Sequence, residues 1–136
     1  MGLLLMLPLH GHAQDAAALS RQWQAMRMQN GHFDGAAWNA EIDAWQGAKH
    51  RLMQQLAQRA AQERWTAGQT KGWMGEADQV LREGDADHAR TLAQVQWQGR
   101  ARGEFWLYRW RGTHDLLVFA LQGGQVAAVG WLHALE

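Results

Sequence analysis

Four side chains in the first half of the chain are of types that do chemistry. His32 and Asp34 stand in the short segment Gly31–Gly35, and Asp43 and His50 follow it. On a helix, Asp43, Gly47 and His50 would fall at i, i+4 and i+7, along one face. Two imidazoles and two carboxylates suit a divalent cation. Alternatively, His50 would act as an acid or base with Asp43 orienting its ring. Either arrangement would make a small metal-dependent or acid/base hydrolase whose catalytic candidates are His32, Asp34, Asp43 and His50. The spacing differs from the His-Glu-x-x-His zinc motif. The plainer expectation pairs Asp43 with His50 or Lys49 and uses the loop's polar groups to tie the first helices together.

The remaining motifs exclude more than they suggest. Asp85-Ala86-Asp87-His88 lacks the glycine and the distal glutamate of a calcium loop. There is no phosphate-cradling glycine loop and no Gly-x-Ser-x-Gly, and the only serine, Ser20, belongs to the polar face of a helix. No cofactor and no metal are expected. Trp97, Trp106, Tyr108 and Trp110 interleave with Arg100, Arg102, Arg109 and Arg111. Such a patch could stack single-stranded nucleic acid, bind a protein, peptide or acidic glycan, or simply pack within a sheet. Zero net charge, from 13 basic and 13 acidic residues, argues against a nucleic-acid partner.

These residues need elements to hold them. The 136 residues suit one domain, and a hydrophobic fraction of 47% is enough for a core. Met1–Ala13 has the form of a truncated signal peptide. Leu3–Leu7 is its apolar run, Pro8 breaks it, and Gly11-His12-Ala13 supplies small residues before a cleavage point. The single α+β domain is then expected over 14–136, in the periplasm of a Gram-negative bacterium or secreted. With no cysteine there is no disulfide and no lipid-modified cysteine, so no lipid anchor is expected, and Leu3–Leu7 is too short for a transmembrane segment.

Helical periodicity places a first helix over Asp15–Gln29, capped by Asp15, with Leu19, Trp23 and Met26 on one face. A loop, His32–Asn39, leads to a long helix over Asn39–Trp65. Its stripe includes Ile42, Trp45, Leu52, Met53, Leu56 and Ala60, and Gly47 is a weak point within it. Trp45 and Leu56 are expected in the core. Thr66 and Gln69 form a capping box for a helix that Gly75 closes. Glu76–Arg90, with five acids, reads as a loop, and Leu92–Gln98 as a strand. Three further strands follow: the alternating Glu104–Arg111, the apolar Leu116–Leu121, and Gln125–Trp131 after a Gly123-Gly124 turn. The fold is therefore α+β, with N-terminal helices on one face of a three- to four-stranded antiparallel C-terminal meander. Alternation separates Trp106, Tyr108 and Trp110 from Phe105, Leu107, Arg109 and Arg111. Arginine is rarely buried without a partner, so the first set should cover the core. The second set, Phe105, Leu107, Arg109 and Arg111, should form an open binding face.

The order of these motifs resembles the outer-membrane assembly lipoprotein family SmpA/OmlA and the related modules of beta-lactamase inhibitor proteins. The residues concerned are the helix closed by Gly75 with Asp78 after it, Tyr108 on its strand, the apolar strand, and Gly123-Gly124-Gln125-Val126 in the hairpin. Ala77 stands where the family has proline. The likeness covers roughly residues 66–131. It implies a non-enzymatic binding or envelope-assembly module whose partner is a cell-envelope protein or peptide.

Overall fold

The computed structural model describes residues 15–133; the expected signal peptide lies outside them. Helix α1, Ala16–Arg27, starts at Asp15, whose Oδ1 accepts from the Ala18 N–H at 2.8 Å. It buries Leu19 and Trp23. A 3-10 turn at His32–Asp34 leads to the one-turn helix α2, Ala40–Asp43, capped by Asn39. Helix α3 runs over Ala48–Glu63 and α4 over Ala67–Met74. The Thr66/Gln69 capping box forms in both directions, at 3.0 and 2.9 Å.

The long helix expected over Asn39–Trp65 is thus two helices. Gln46 adopts φ 64°, and a Cβ on Gly47 would lie 2.5 Å from the Ala40 carbonyl oxygen. That close approach closes the corner between α2 and α3. It also swings Trp45 out of the stripe, so Trp45 is 57% exposed, whereas Leu56 is fully buried.

Among the described residues the sheet has five antiparallel strands, one more than the upper expectation. They are β1 (Gln79–Leu81), β2 (Gln96–Gly99), β3 (Glu104–Arg111), β4 (Asp115–Gln122) and β5 (Gln125–Leu132), in the order β1-β3-β4-β5-β2. Strands β3 to β5 are the expected meander. The segment 76–90, expected as a loop, contains β1 and the start of helix α5, Ala86–Gln94. The strand expected over Leu92–Gln98 is correct only for its last three residues, because Leu92–Gln94 complete α5.

Helices α1 and α3 pack on one face of the sheet. There Tyr108 and Trp110 are buried with Leu117, Phe119 and Val129, and Trp106 is half-buried against them, as alternation requires. Three aromatic polar groups fasten this core, one between two helices and two from the sheet to the helical layer. Trp23 donates its indole N–H to the Met74 carbonyl at 2.9 Å, Tyr108 its hydroxyl to the Gly75 carbonyl at 2.8 Å, and Trp110 its indole N–H to the Ile42 carbonyl at 2.9 Å. Tryptophan suits these places because its ring fills the core while its one donor finds an acceptor.

Candidate functional site

The four residues singled out for chemistry do not converge. Asp43 is buried, and its Oδ2 accepts from the backbone N–H of His32 at 2.9 Å and of Asn39 at 2.8 Å. The carboxylate therefore folds the loop before α2. Its Oδ1 has no hydrogen-bond partner among the described residues and presses on Gly31, where a Cβ would lie 2.3 Å away. The His32 and Asp34 side chains are exposed. His50 is buried elsewhere, stacked on Trp110 with ring centroids 3.9 Å apart and planes 7° from parallel. Its Nδ1 accepts from the Gln46 N–H at 3.0 Å. Burial pushes the imidazole down to about 4, with His133 and Arg111 adding to the effect. Among the described residues no three His, Asp or Glu side chains are grouped as metal ligands.

The expected open face is also corrected. Phe105 is 0% and Leu107 3% exposed. They belong to a second core with Leu81 of β1, Val95, Val118, Ala120 and Ala128, and half-buried Trp97, Leu116 and Leu132 pack against it. The physical reason is the unexpected α5. Its His88 stacks on Phe105 at 4.0 Å and reaches the Gly103 carbonyl at 2.7 Å. Arg111 is engaged too: it donates to Asp115 Oδ2 at 2.9 Å and to the Asp43 carbonyl at 2.5 Å, and lies over the Trp110 ring at 4.1 Å. Only Arg109 keeps an exposed side chain.

Two recesses were not anticipated. The larger, about 550 Å³, runs between α3 and the edge strand β2. Gln54 and Gln58 line it from α3, Gln96 and Gln98 from β2, with Trp97, Trp131 and His133 beside them. The Trp131 and His133 rings lie 9° from parallel, 5.5 Å apart. The i, i+4 and i, i+2 spacings put each glutamine pair on one side of its element. These spacings are visible in the sequence, where glutamine reads as a solvated face. The volume lies in the range of small-ligand sites, roughly 300–1,000 Å³. Each carboxamide both donates and accepts, so the lining can match peptide groups without a charge.

The smaller recess, about 110 Å³, lies against Trp110 and is lined by Arg27, Lys49, Asp34, Asp78 and Arg109 with Gln29 and Asn30. It brings together Asp34 and Arg109, which sequence reasoning had assigned to different sites. It adds Lys49, which falls on the apolar stripe at i−3 and i−4 from Leu52 and Met53 and is only 4% exposed.

No family model, no curated protein and no solved structure matches the chain. Among the described residues no helix is long and apolar enough to cross a membrane.

Proposed function

We propose that this protein is a non-enzymatic binding module of the cell envelope, periplasmic or secreted, that takes an extended segment of an envelope protein or peptide in the groove between α3 and β2. The observation that carries the reading is the pairing of that groove with a sheet edge. Strand β2 is outermost in the order β1-β3-β4-β5-β2, and Gln96, Gln98 and Gly99 on it are exposed. An edge strand offers unpaired backbone N–H and C=O groups, and an added peptide strand can satisfy them. The four carboxamides would then read the side of the peptide that faces α3. The resemblance to SmpA/OmlA agrees with an assembly or binding role and adds nothing about the ligand. The hydrolase alternative is less favoured because His32, Asp34, Asp43 and His50 do not converge.

The test is selection of linear peptides from a random library on the intact protein, followed by affinity measurement. Gln54→Ala, Gln58→Ala and Gln96→Ala should each weaken binding by about 0.5–1.5 kcal/mol, the net worth of a hydrogen bond, while Arg21→Ala on the far face of α1 changes nothing. A library that yields no binder, or binders indifferent to all three glutamines, overturns the reading.

A further inference from the structure

We propose that the peptide taken between α3 and β2 carries acidic side chains toward one end, and that Arg64, Arg100 and Arg102 receive them. The inference rests on the groove proposed above and names the chemistry of its occupant.

The first ground is continuity. A further recess, about 360 Å³, is lined by Ala61 and Arg64 from the end of α3, Arg100 and Arg102 from the segment after β2, and Val126 and Ala127 from β5. The groove takes Gln54, Ala57 and Gln58 from the same helix, and Val129, Gly130 and Trp131 from the same strand. Residues 54, 57, 58, 61 and 64 follow one another at helical spacing along one face of α3. The two recesses therefore lie end to end in one trough between α3 and the sheet. Their middles are about four strand residues apart, or ~13 Å at the usual rise of a strand.

The second ground is the state of the three arginines. All are exposed, and no side chain of theirs makes a hydrogen bond or ion pair among the described residues. No carboxylate lines the recess. The acids around it are engaged. Glu63 is held by Arg59 at 3.5 Å and by the Trp65 indole N–H at 2.9 Å. Glu104 is held by the Trp106 indole N–H at 2.7 Å and by Arg82 at 3.7 Å. Glu83 accepts from the Gly103 N–H at 3.4 Å and Asp85 from the Arg82 N–H at 2.8 Å. The Glu63 and Glu104 pairs are neutral. The C-terminal end of α3 offsets about half of one positive charge. With Glu83 and Asp85 counted in full as well, the balance at the three arginines stays positive.

The third ground is the backbone that presents them. Arg100 and Arg102 stand on the arch from Gly99 to Gly103, whose two glycines have φ 97° and 81°. A Cβ on Gly99 would lie 2.7 Å from the Ala127 carbonyl oxygen, and one on Gly103 would overlap the Leu121 carbonyl. Both feet of the arch are thus seated against the sheet, and Ala101 between the arginines packs on the second core. Arg64 ends α3 at φ 53°, a position that glycine usually fills without strain. Arginine there sets a guanidinium at the trough.

Guanidinium forks take carboxylates through paired hydrogen bonds. On an extended peptide, acidic residues at i and i+2 point to the same side, so one pair can meet several of these arginines at once.

The experiment selects peptides from the random library on the full chain and measures affinities at low and high salt. Asp and Glu should be enriched toward one end, about four residues from the positions that respond to Gln54→Ala and Gln58→Ala. Replacing those acids by Asn and Gln should weaken binding at least tenfold, and salt should weaken the acidic parent more than this neutral version. Arg100→Gln and Arg102→Gln should each weaken the acidic peptide threefold or more and leave the neutral one unchanged, as Arg21→Gln leaves both. Arg64→Gly should weaken the acidic peptide in the same way while raising the melting temperature. Binders that need the glutamines but lack acidic enrichment, or ignore the arginines, overturn this inference and leave the groove standing. Acidic binders that need the arginines and ignore the glutamines overturn the groove and confine the partner to the arginine recess. No binder at all overturns both. Vesicles of phosphatidylcholine with phosphatidylglycerol complete the test: binding to them that the arginine variants abolish, with no acidic preference among peptides, would make the recess a membrane contact and overturn the acidic partner.

Discussion

Lys49 and His50 are neighbours on α3, both are buried, and Trp110 bounds both their surroundings. Their environments are otherwise opposite. His50 is closed in: its ring lies flat on Trp110, Trp131 meets its edge at 5.0 Å, and the Gln46 N–H occupies Nδ1. It can be buried because a neutral imidazole needs no counter-charge. Lys49 borders a recess that Arg27, Arg109, Asp34 and Asp78 share, and makes no hydrogen bond among the described residues. The contrast shows that burial of a titratable group does not by itself mark a site. His50, the residue whose type and spacing suggested chemistry, is a packing element. Lys49, which suggested only an ion pair, instead opens onto a recess that Asp34 and Asp78 also line.

The harshest way to break this comparison is to remove the shared wall. Trp110→Ala would open a cavity beside His50, leave the Ile42 carbonyl without its indole donor and take the ring from under Arg111. Equilibrium unfolding in denaturant should show a loss of about 3–5 kcal/mol, the usual range for a buried large aromatic. A loss below about 1 kcal/mol would mean that Trp110 does not organise the two regions.

A smaller effect separates the two neighbours by pH. The folded-state pKa of His50, about 4, lies below the ordinary histidine value of 6.5. Between these values the unfolded chain takes up a proton that the folded chain refuses. Stability is therefore complete above about pH 6.5 and falls as the solution is acidified toward 4, by up to about 3 kcal/mol at roughly 1.4 kcal/mol per unit. His133, also lowered chiefly by burial, contributes with the same sign. Unfolding measured across this window should show the slope in the parent and a flatter curve in His50→Gln. A parent whose stability is constant from pH 6.5 to 4 would show that the imidazole is not buried as a neutral ring.

Much of this arrangement could be read from the chain where the determinants are local. Thr66 and Gln69 satisfy each other within one turn, Gly123-Gly124 need only their own φ angles, and alternation along Glu104–Arg111 assigns Trp106, Tyr108 and Trp110 to the helical side without reference to anything distant. Local pattern misleads where a distant contact decides. Gly47 was visible as a weak point, but the corner depends on its approach to Ala40. Leu92 alternates plausibly with its neighbours, yet α5 claims it, and His88 then covers Phe105 on what was expected to be an open face. The candidate sites follow the same pattern. Asp43 and His50 share a face only on a continuous helix, which the corner interrupts. The glutamines of the groove lie on two elements whose adjacency no local signal reports. Lys49 did carry a signal, its position on an apolar stripe, although that position alone does not say whether an acceptor is near.

The proposal of a peptide-binding groove is tested most directly by an NMR titration of the intact protein with a library-selected peptide. Backbone amides of Gln96–Gly99 and side-chain amides of Gln54, Gln58, Gln96 and Gln98 would be followed together. Shifts should concentrate in these groups, and amide exchange in β2 should slow as its outer edge becomes paired. Shifts confined to other surfaces, with β2 exchange unchanged by saturating peptide, would contradict it.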